Sequence, residues 1–455
     1  MKKCRAVIAR SFLTALVLFG CLSGCITYPN PAHAPRDRAF IRYWPATDRT
    51  RLRVAIKDNI DLKGVITTAG SRYLLTHGQP ATEDAACLAG VRSQNVQIVG
   101  KTNLTEFAIS PSGLNDYFGT PRSPFSHWPR LLIPGGSSSG SAVAVARGDA
   151  DVGLGTDTAG SVRVPAACCG VVGLKTTFGL ISTKGCFPVD PQALDTVGPI
   201  ARTIADTVRG MDLLQPGFQA KYQAAVAAQP DGRRIRIGRL YLSGTDPKVD
   251  QAIDYALKNG PFHVIVLGPA FKDQWLQAKT DGDTMAAASV WVRDSQFLDK
   301  IGVAGRTLGT IIFGRLNYPG PYQQSLSRRP AWQHTLRLIF RQVDFIVVPT
   351  LKSRPPGVPW IFNKSALEAR VLGDQNTVPV NFAGNPALAV PVPMDDKIVP
   401  VTSLQLIGPP KSEAALLNVG RIIEAKRPQL EKGIHSSATG QQSEQQSGQQ
   451  GQQSG

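Results

Sequence analysis

Residues 151–170 read DVGLGTDTAGSVRVPAACCG. The first eight, apolar, small and β-branched, predict a strand; the Gly/Ser turn after them predicts a tight reversal into a helix of small residues. Pro165 falls early in that helix, where a backbone N–H is not needed. Working upstream, PGGSSSGS (134–141) is a second Gly/Ser turn, and it opens SAVAVARG (141–148), a helix whose small side chains permit close packing. VAIKDNI (54–60) and NVQIVGKT (95–102) read as strands. Thr82 is predicted to cap a helix running through AACLAGVRSQ (85–94), with Glu83 and Asp84 in its first turn. Downstream, Thr203 starts the helix IADTVRGMDLL (204–214) and KSEAALLNVGRIIEA (411–425) forms another. IRIGRLYL (235–242), FHVIVLG (262–268), DFIVVPT (344–350) and ALAVPVPM (387–394) read as buried strands. This alternation predicts an α/β fold with a largely covered sheet. Strand order is not readable from it.

The chain has 455 residues, 42% hydrophobic and 18% charged, long enough for one large or two ordinary domains. Seven cysteines are too few for a disulfide scaffold. The net charge of +17 invites a nucleic-acid or membrane-surface role, but no basic motif interleaved with aromatics supports nucleic acid. Lys2, Lys3, Arg5 and Arg10 give a basic N-terminus, followed by a short apolar run to Leu22 and then Ser23, Gly24 and Cys25. Such a run is a signal peptide rather than a spanning helix. Its ending resembles the lipobox of bacterial lipoproteins, which implies a signal peptide over 1–24, lipid attachment at Cys25 and an exported, membrane-anchored protein of the cell envelope. An ordinary signal peptide cleaved nearby is the alternative. Residues 25–50 are Pro-rich and basic and predict a tether, with Arg36, Arg38, Arg42, Arg49 and the adjoining Arg51 available to anionic headgroups. Residues 431–455, rich in Gln, Ser and Gly, predict a disordered tail. The chemistry is therefore expected within 51–430.

Four readings compete for the two Gly/Ser turns. A flexible linker does not fit, because each turn is held between apolar runs. A phosphate loop needs Lys-Ser/Thr after its last glycine, which neither has. An esterase elbow is satisfied by Gly136-Ser-Ser-Ser-Gly140, with Ser138 as nucleophile, but it needs a downstream histidine, and only His263, His334 and His435 follow. The fourth uses a lysine as base, held neutral by burial, and Lys57 at the end of an apolar strand is placed for that.

Lys57-Asp-Asn-Ile-Asp61, Gly135-Gly-Ser-Ser-Ser-Gly-Ser141 and Gly155-Thr-Asp-Thr-Ala-Gly-Ser-Val-Arg-Val-Pro-Ala166 together resemble the amidase signature family. GKTNLTEF (100–107), FGTPR (118–122), GVVGLKTTFG (170–179), NFAGNPA (381–387) and LQLIG (404–408) follow in family order. The resemblance implies a single large domain over 51–430 with a mixed central sheet covered by helices on both faces. It further implies a triad of Ser161 as nucleophile, Ser137 as bridging serine after a cis peptide, and Lys57 as base. The backbone N–H groups of Thr158, Ala159, Gly160 and Ser161 would form the oxyanion hole, and Ser138 would support the loop. Asp157 and Arg163 would brace it, the alternative for Arg163 being contact with an anionic substrate. The activity implied is hydrolysis of a linear carboxamide to acid and ammonia or amine through an acyl-enzyme, with no cofactor and no metal. The family often has Gly-Gly before the nucleophile, where this chain has Ala159-Gly160. The short stretch between Cys25 and Lys57 leaves little room for the N-terminal helices common in the family.

Cys87, Cys168, Cys169 and Cys186 lack metal-ligand spacing. Export would permit a disulfide among Cys168, Cys169 and Cys186. The walls of the substrate pocket are expected from the less distinctive middle, residues 215–340. Three further readings stand beside a small-molecule amidase. They are the serine esterase on Ser138, a glutamine-using component of a transamidation complex acting on charged tRNA, and a non-catalytic surface lipoprotein on the same fold.

Overall fold

The computed structural model describes residues 37–48, 50–359 and 364–426. The signal peptide, Cys25, the first part of the tether and the Gln/Ser/Gly tail lie outside the described residues. Eleven strands are found among those described: β1 Phe40–Tyr43, β2 Leu52–Lys57, β3 Val96–Thr102, β4 Val152–Asp157, β5 Val172–Lys175, β6 Thr196–Ala201, β7 Arg236–Arg239, β8 His263–Val266, β9 Phe345–Pro349, β10 Ala387–Pro393 and β11 Val401–Ile407. They form one sheet in the order β1-β3-β2-β4-β6-β5-β10-β11-β9-β7-β8. The sheet is mixed: β3, β2 and β4 are parallel neighbours, as are β9, β7 and β8, and the strands between are antiparallel.

Strand β2 shows how both faces are covered. Side chains alternate along a strand. Val54 and Ile56 enter the largest apolar cluster, beneath the helices Ile204–Leu214 and Glu413–Ala425. Ala55 faces the other way, into a cluster with Ala142, Ala144, Val162 and Ala166. The last four belong to the helix Ser139–Ala146, the helix Arg163–Cys169 and the residue before the latter; we label these helices α1 and α2. Small side chains on this face let two short helices lie close to the sheet. Lys57 is two residues past Ala55 and so shares that face. Because β2 and β4 are parallel neighbours, with Ile56 opposite Leu154, their carboxyl ends emerge together. That end of a parallel pair is where α/β proteins place their sites.

Thr203 caps Ile204–Leu214 as predicted, its hydroxyl accepting the N–H of Asp206 at 3.1 Å. Three expectations need correction. Thr82 caps no helix: 85–94 breaks into a 3-10 turn, Ala86–Leu88, and a short helix, Ala89–Ser93. The Asp84 carboxylate is held instead by Arg92 and the N–H of Lys63, which removes it from the first turn. His263–Val266 is an edge strand at the margin of the sheet, paired only with β7, and is largely exposed rather than buried. The tether reading fails for Phe40–Tyr43, which pairs antiparallel with β3 and buries Ala39 and Phe40 completely or nearly so. An otherwise open β3 edge explains why a short aromatic segment is recruited there. No helix among the described residues is long and apolar enough to cross a membrane.

Candidate active site

Lys57 leaves β2 fully buried. The turn beyond it is fixed by Asp58, whose carboxylate pairs with buried Lys101 at 2.9 Å and accepts the N–H and hydroxyl of Thr68. The loop 134–138 is set by segment 105–113: Gly135 N–H donates to Ser112 O at 3.1 Å and Gly136 N–H to Pro111 O at 2.7 Å. Gly135 has φ +72°, and a Cβ there would fall 2.8 Å from Cys168 Sγ, so only glycine lets this loop rest on α2. The Gly136–Ser137 peptide is cis.

These elements bring Ser137 Oγ to 2.7 Å from Lys57 Nζ. Nζ also lies 2.8 Å from Thr156 Oγ1 and 3.4 Å from Thr156 O. Asn59 Nδ2 donates to the same Thr156 hydroxyl at 3.0 Å. Burial pulls the Lys57 pKa down to about 7, against the opposing pull of Asp157 and Asp195. Ser161 stands in the turn between β4 and α2, and its carbonyl accepts the N–H of Ser138 at 3.1 Å, tying the two loops together. Among the described residues no hydrogen bond links the Ser137 and Ser161 hydroxyls. Catalytic hydrogen bonds often tighten only when substrate is bound.

Asp157 and Arg163 are both fully buried and form a two-pronged pair: Nη2 to Oδ1 at 2.9 Å and Nε to Oδ2 at 3.1 Å. Arg163 also donates to Thr377 O, Gln405 Oε1 and Asn381 Oδ1. With every direction occupied inside the protein, this guanidinium braces the loop and does not face a ligand. Burial alone would raise the Asp157 pKa, but Arg163 outweighs it and holds the carboxyl well below the usual range. Asp157 in turn accepts the N–H of Gly160 at 2.9 Å and of Val162 at 3.0 Å. That corrects the four-donor oxyanion hole: the Gly160 N–H is committed to Asp157, leaving Thr158, Ala159 and Ser161 as candidates. Gly160 has φ +134°, and a Cβ would fall 2.2 Å from Thr377 Oγ1, which itself donates to Ala159 O at 2.5 Å.

Ser138 is buried with its hydroxyl directed at Thr156 O at 3.4 Å, and none of its hydrogen bonds is to a histidine. Cys168 and Cys169 are buried free thiols on α2, where burial pushes both pKa values up. No group of three or more His, Cys, Asp or Glu suited to a metal occurs among the described residues.

A cavity of ≈ 300 Å³ opens beside this constellation, reaching Asn59, Thr156 and Thr158. Thr158 donates to Asp195 at 2.6 Å, and Asp195 is anchored by the N–H groups of Val189 and Asp190. The wall is formed chiefly by residues 183–196, and Arg293 alone comes from the middle of the chain. For this cavity, residues 215–340 thus contribute a single side chain. Thr156, Asn59, Thr377 and Gln405 were not singled out from sequence, although Thr156, Asn59 and Gln405 sit inside motifs that were.

The sequence matches the family model described as Amidase over residues 52–259 and 275–417. A glutamyl-tRNA(Gln) amidotransferase subunit from Halobacterium salinarum is 32% identical over 416 residues, covering 82% of this chain and 94% of that protein. The crystal structure of the corresponding subunit from Thermotoga maritima superposes with a TM-score of 0.71 at 27% identity, over 87% of this chain and 89% of that one. Native peptide amidase from Stenotrophomonas maltophilia gives a TM-score of 0.62 at 26% identity, over 82% of each chain.

Proposed function

Because this chain belongs to the amidase family, a group of enzymes acting on amide C–N bonds, we propose that it hydrolyses a small linear carboxamide through an acyl-enzyme on Ser161. The observation that carries this is the 2.7 Å approach of Ser137 Oγ to a lysine amine that burial has pulled down to about 7.

A neutral lysine amine has two N–H donors and one lone pair. The two N–H groups of Lys57 can both go to Thr156, through its hydroxyl and carbonyl oxygens, so the lone pair is left for the Ser137 hydroxyl. Ser137, deprotonated by Lys57, takes the proton of Ser161 as Ser161 attacks the amide carbonyl. Developing negative charge is met by the N–H groups of Thr158, Ala159 and Ser161, fixed in place by the Asp157–Arg163 brace. The proton then returns through Ser137 to the departing amine, and water hydrolyses the acyl-enzyme.

Its pH dependence has a definite sign. Below about 7 Lys57 holds its proton and cannot act as base; above it the amine is free. With a panel of small carboxamides and no second protein present, ammonia or amine release is expected, with kcat/KM falling tenfold per pH unit below a midpoint near 7 and reaching a plateau above. Lys175 is also pulled to about 7 by burial, but its amine donates to Thr176 O and Asn385 O and touches neither serine. A profile flat from pH 5 to 9 would contradict a lysine base. Release that required an added partner chain would favour the transamidation reading.

A further inference from the structure

Cys87 and Cys186 lie far apart in sequence, yet the backbone stitches their surroundings together. Ala86 N–H donates to Lys184 O at 3.0 Å, Asp61 N–H to Gly185 O at 2.8 Å, and Ala85 N–H to Asp61 O at 3.0 Å. Ile60 and Cys186 form an antiparallel bridge. The two segments pack so closely that a Cβ on Gly185 would fall 2.7 Å from Ala85 Cα. Cys87 is buried in the largest apolar cluster, and Cys186 packs against that same cluster. Both are free. Cys186 also lines the cavity beside Asn59 and Thr156, so a small molecule in the cavity can reach it. Cys168 and Cys169 sit elsewhere, with Cys169 Sγ directed at Pro134 O.

We propose that Cys87 and Cys186 are a disulfide-forming pair that clips the cavity wall at 183–187 to the segment beneath it. The co-reactant is a small-molecule disulfide. The Cys186 thiolate attacks one of its sulfurs, expelling one thiol and leaving a mixed disulfide; Cys87 then attacks Cys186 Sγ and expels the second. Two protein thiols have lost two electrons and two protons, and the co-reactant has become two thiols. Contact with Cys87 and burial push the Cys186 thiol well above its ordinary pKa, so exchange is slow at neutral pH and quickens in alkali. The closed loop contains both Ser137 and Ser161, so the bond restricts the unfolded chain across the whole serine-bearing region.

The test is to incubate the purified full chain with oxidised glutathione at alkaline pH, quench in acid and map the peptides without reduction. The expected product joins the Cys87 and Cys186 peptides with loss of two hydrogens. Its melting temperature is several degrees above that of the reduced chain, a shift reversed by dithiothreitol and absent in Cys186→Ser. The pairing is overturned if each cysteine carries glutathione, if both remain alkylatable after unfolding, or if Cys186 is joined to Cys168 or Cys169. A cross-linked chain with an unchanged melting temperature overturns the clip. The mapping needs no hydrolytic activity and fails independently of the amidase reading.

Discussion

Ser161→Ala lowers carboxamide turnover by about 10³-fold or more, and adding Lys57→Ala to it lowers turnover little further. The second half of this expectation is the more discriminating. If Lys57 acts only by drawing a proton through Ser137 from Ser161, it has nothing to do once the Ser161 hydroxyl is gone. Independent contributions would multiply instead. Steady-state kinetics on the two single variants and the double variant, each checked for an unchanged melting temperature, decide between these outcomes. The esterase-elbow reading makes the opposite demand: activity retained in Ser161→Ala and lost in Ser138→Ala. The direction of the Ser138 hydroxyl toward the Thr156 carbonyl argues against it.

Arg163→Met is expected to destabilise the fold by about 3–5 kcal/mol, because it strands a buried carboxylate without its counter-charge. Asp157 and Arg163 are each 0% exposed, so water cannot take over for the lost guanidinium. Arg163→Lys does not restore the pair, since an ammonium cannot make the two parallel hydrogen bonds or reach Thr377 O, Gln405 and Asn381 at once. Adding Asp157→Asn to Arg163→Met recovers part of the loss by removing the stranded charge. Denaturant unfolding of the three variants beside the parent reads these differences. An Arg163→Met chain as stable as the parent would contradict the brace.

Much of the core was legible because it obeys local rules. The strands at 52–57, 96–102, 152–157, 345–349 and 387–393 are short apolar or β-branched runs bounded by turns, and Thr203 is a side-chain cap followed by an apolar-periodic helix. What was not legible depends on partners distant in sequence. Whether His263–Val266 is central or marginal depends on which strand flanks it, and Asp84 beside Thr82 is held by the N–H of Lys63, 21 residues upstream, as well as by Arg92. In the site, the motif resemblance supplied Lys57, Ser137 and Ser161, and the structure brings Lys57 and Ser137 into contact. The withdrawal of the Gly160 N–H could not be foreseen, because it follows from how Arg163 orients Asp157. Nor could the role of Thr377, which presses on Gly160 from more than two hundred residues away. Nor does sequence distance give any sign that residues 183–196 line a cavity with Asn59, Thr156 and Thr158.

The acyl group on Ser161 can be trapped by mixing the enzyme with an activated anilide, quenching in acid during the burst of aniline release and mapping the peptides by mass. An acyl mass increment is expected on the peptide containing Ser161, rising with pH through about 7 as Lys57 loses its proton. An increment on the peptide containing Ser138, or turnover with no acylated peptide at any pH, would contradict an acyl-enzyme on Ser161.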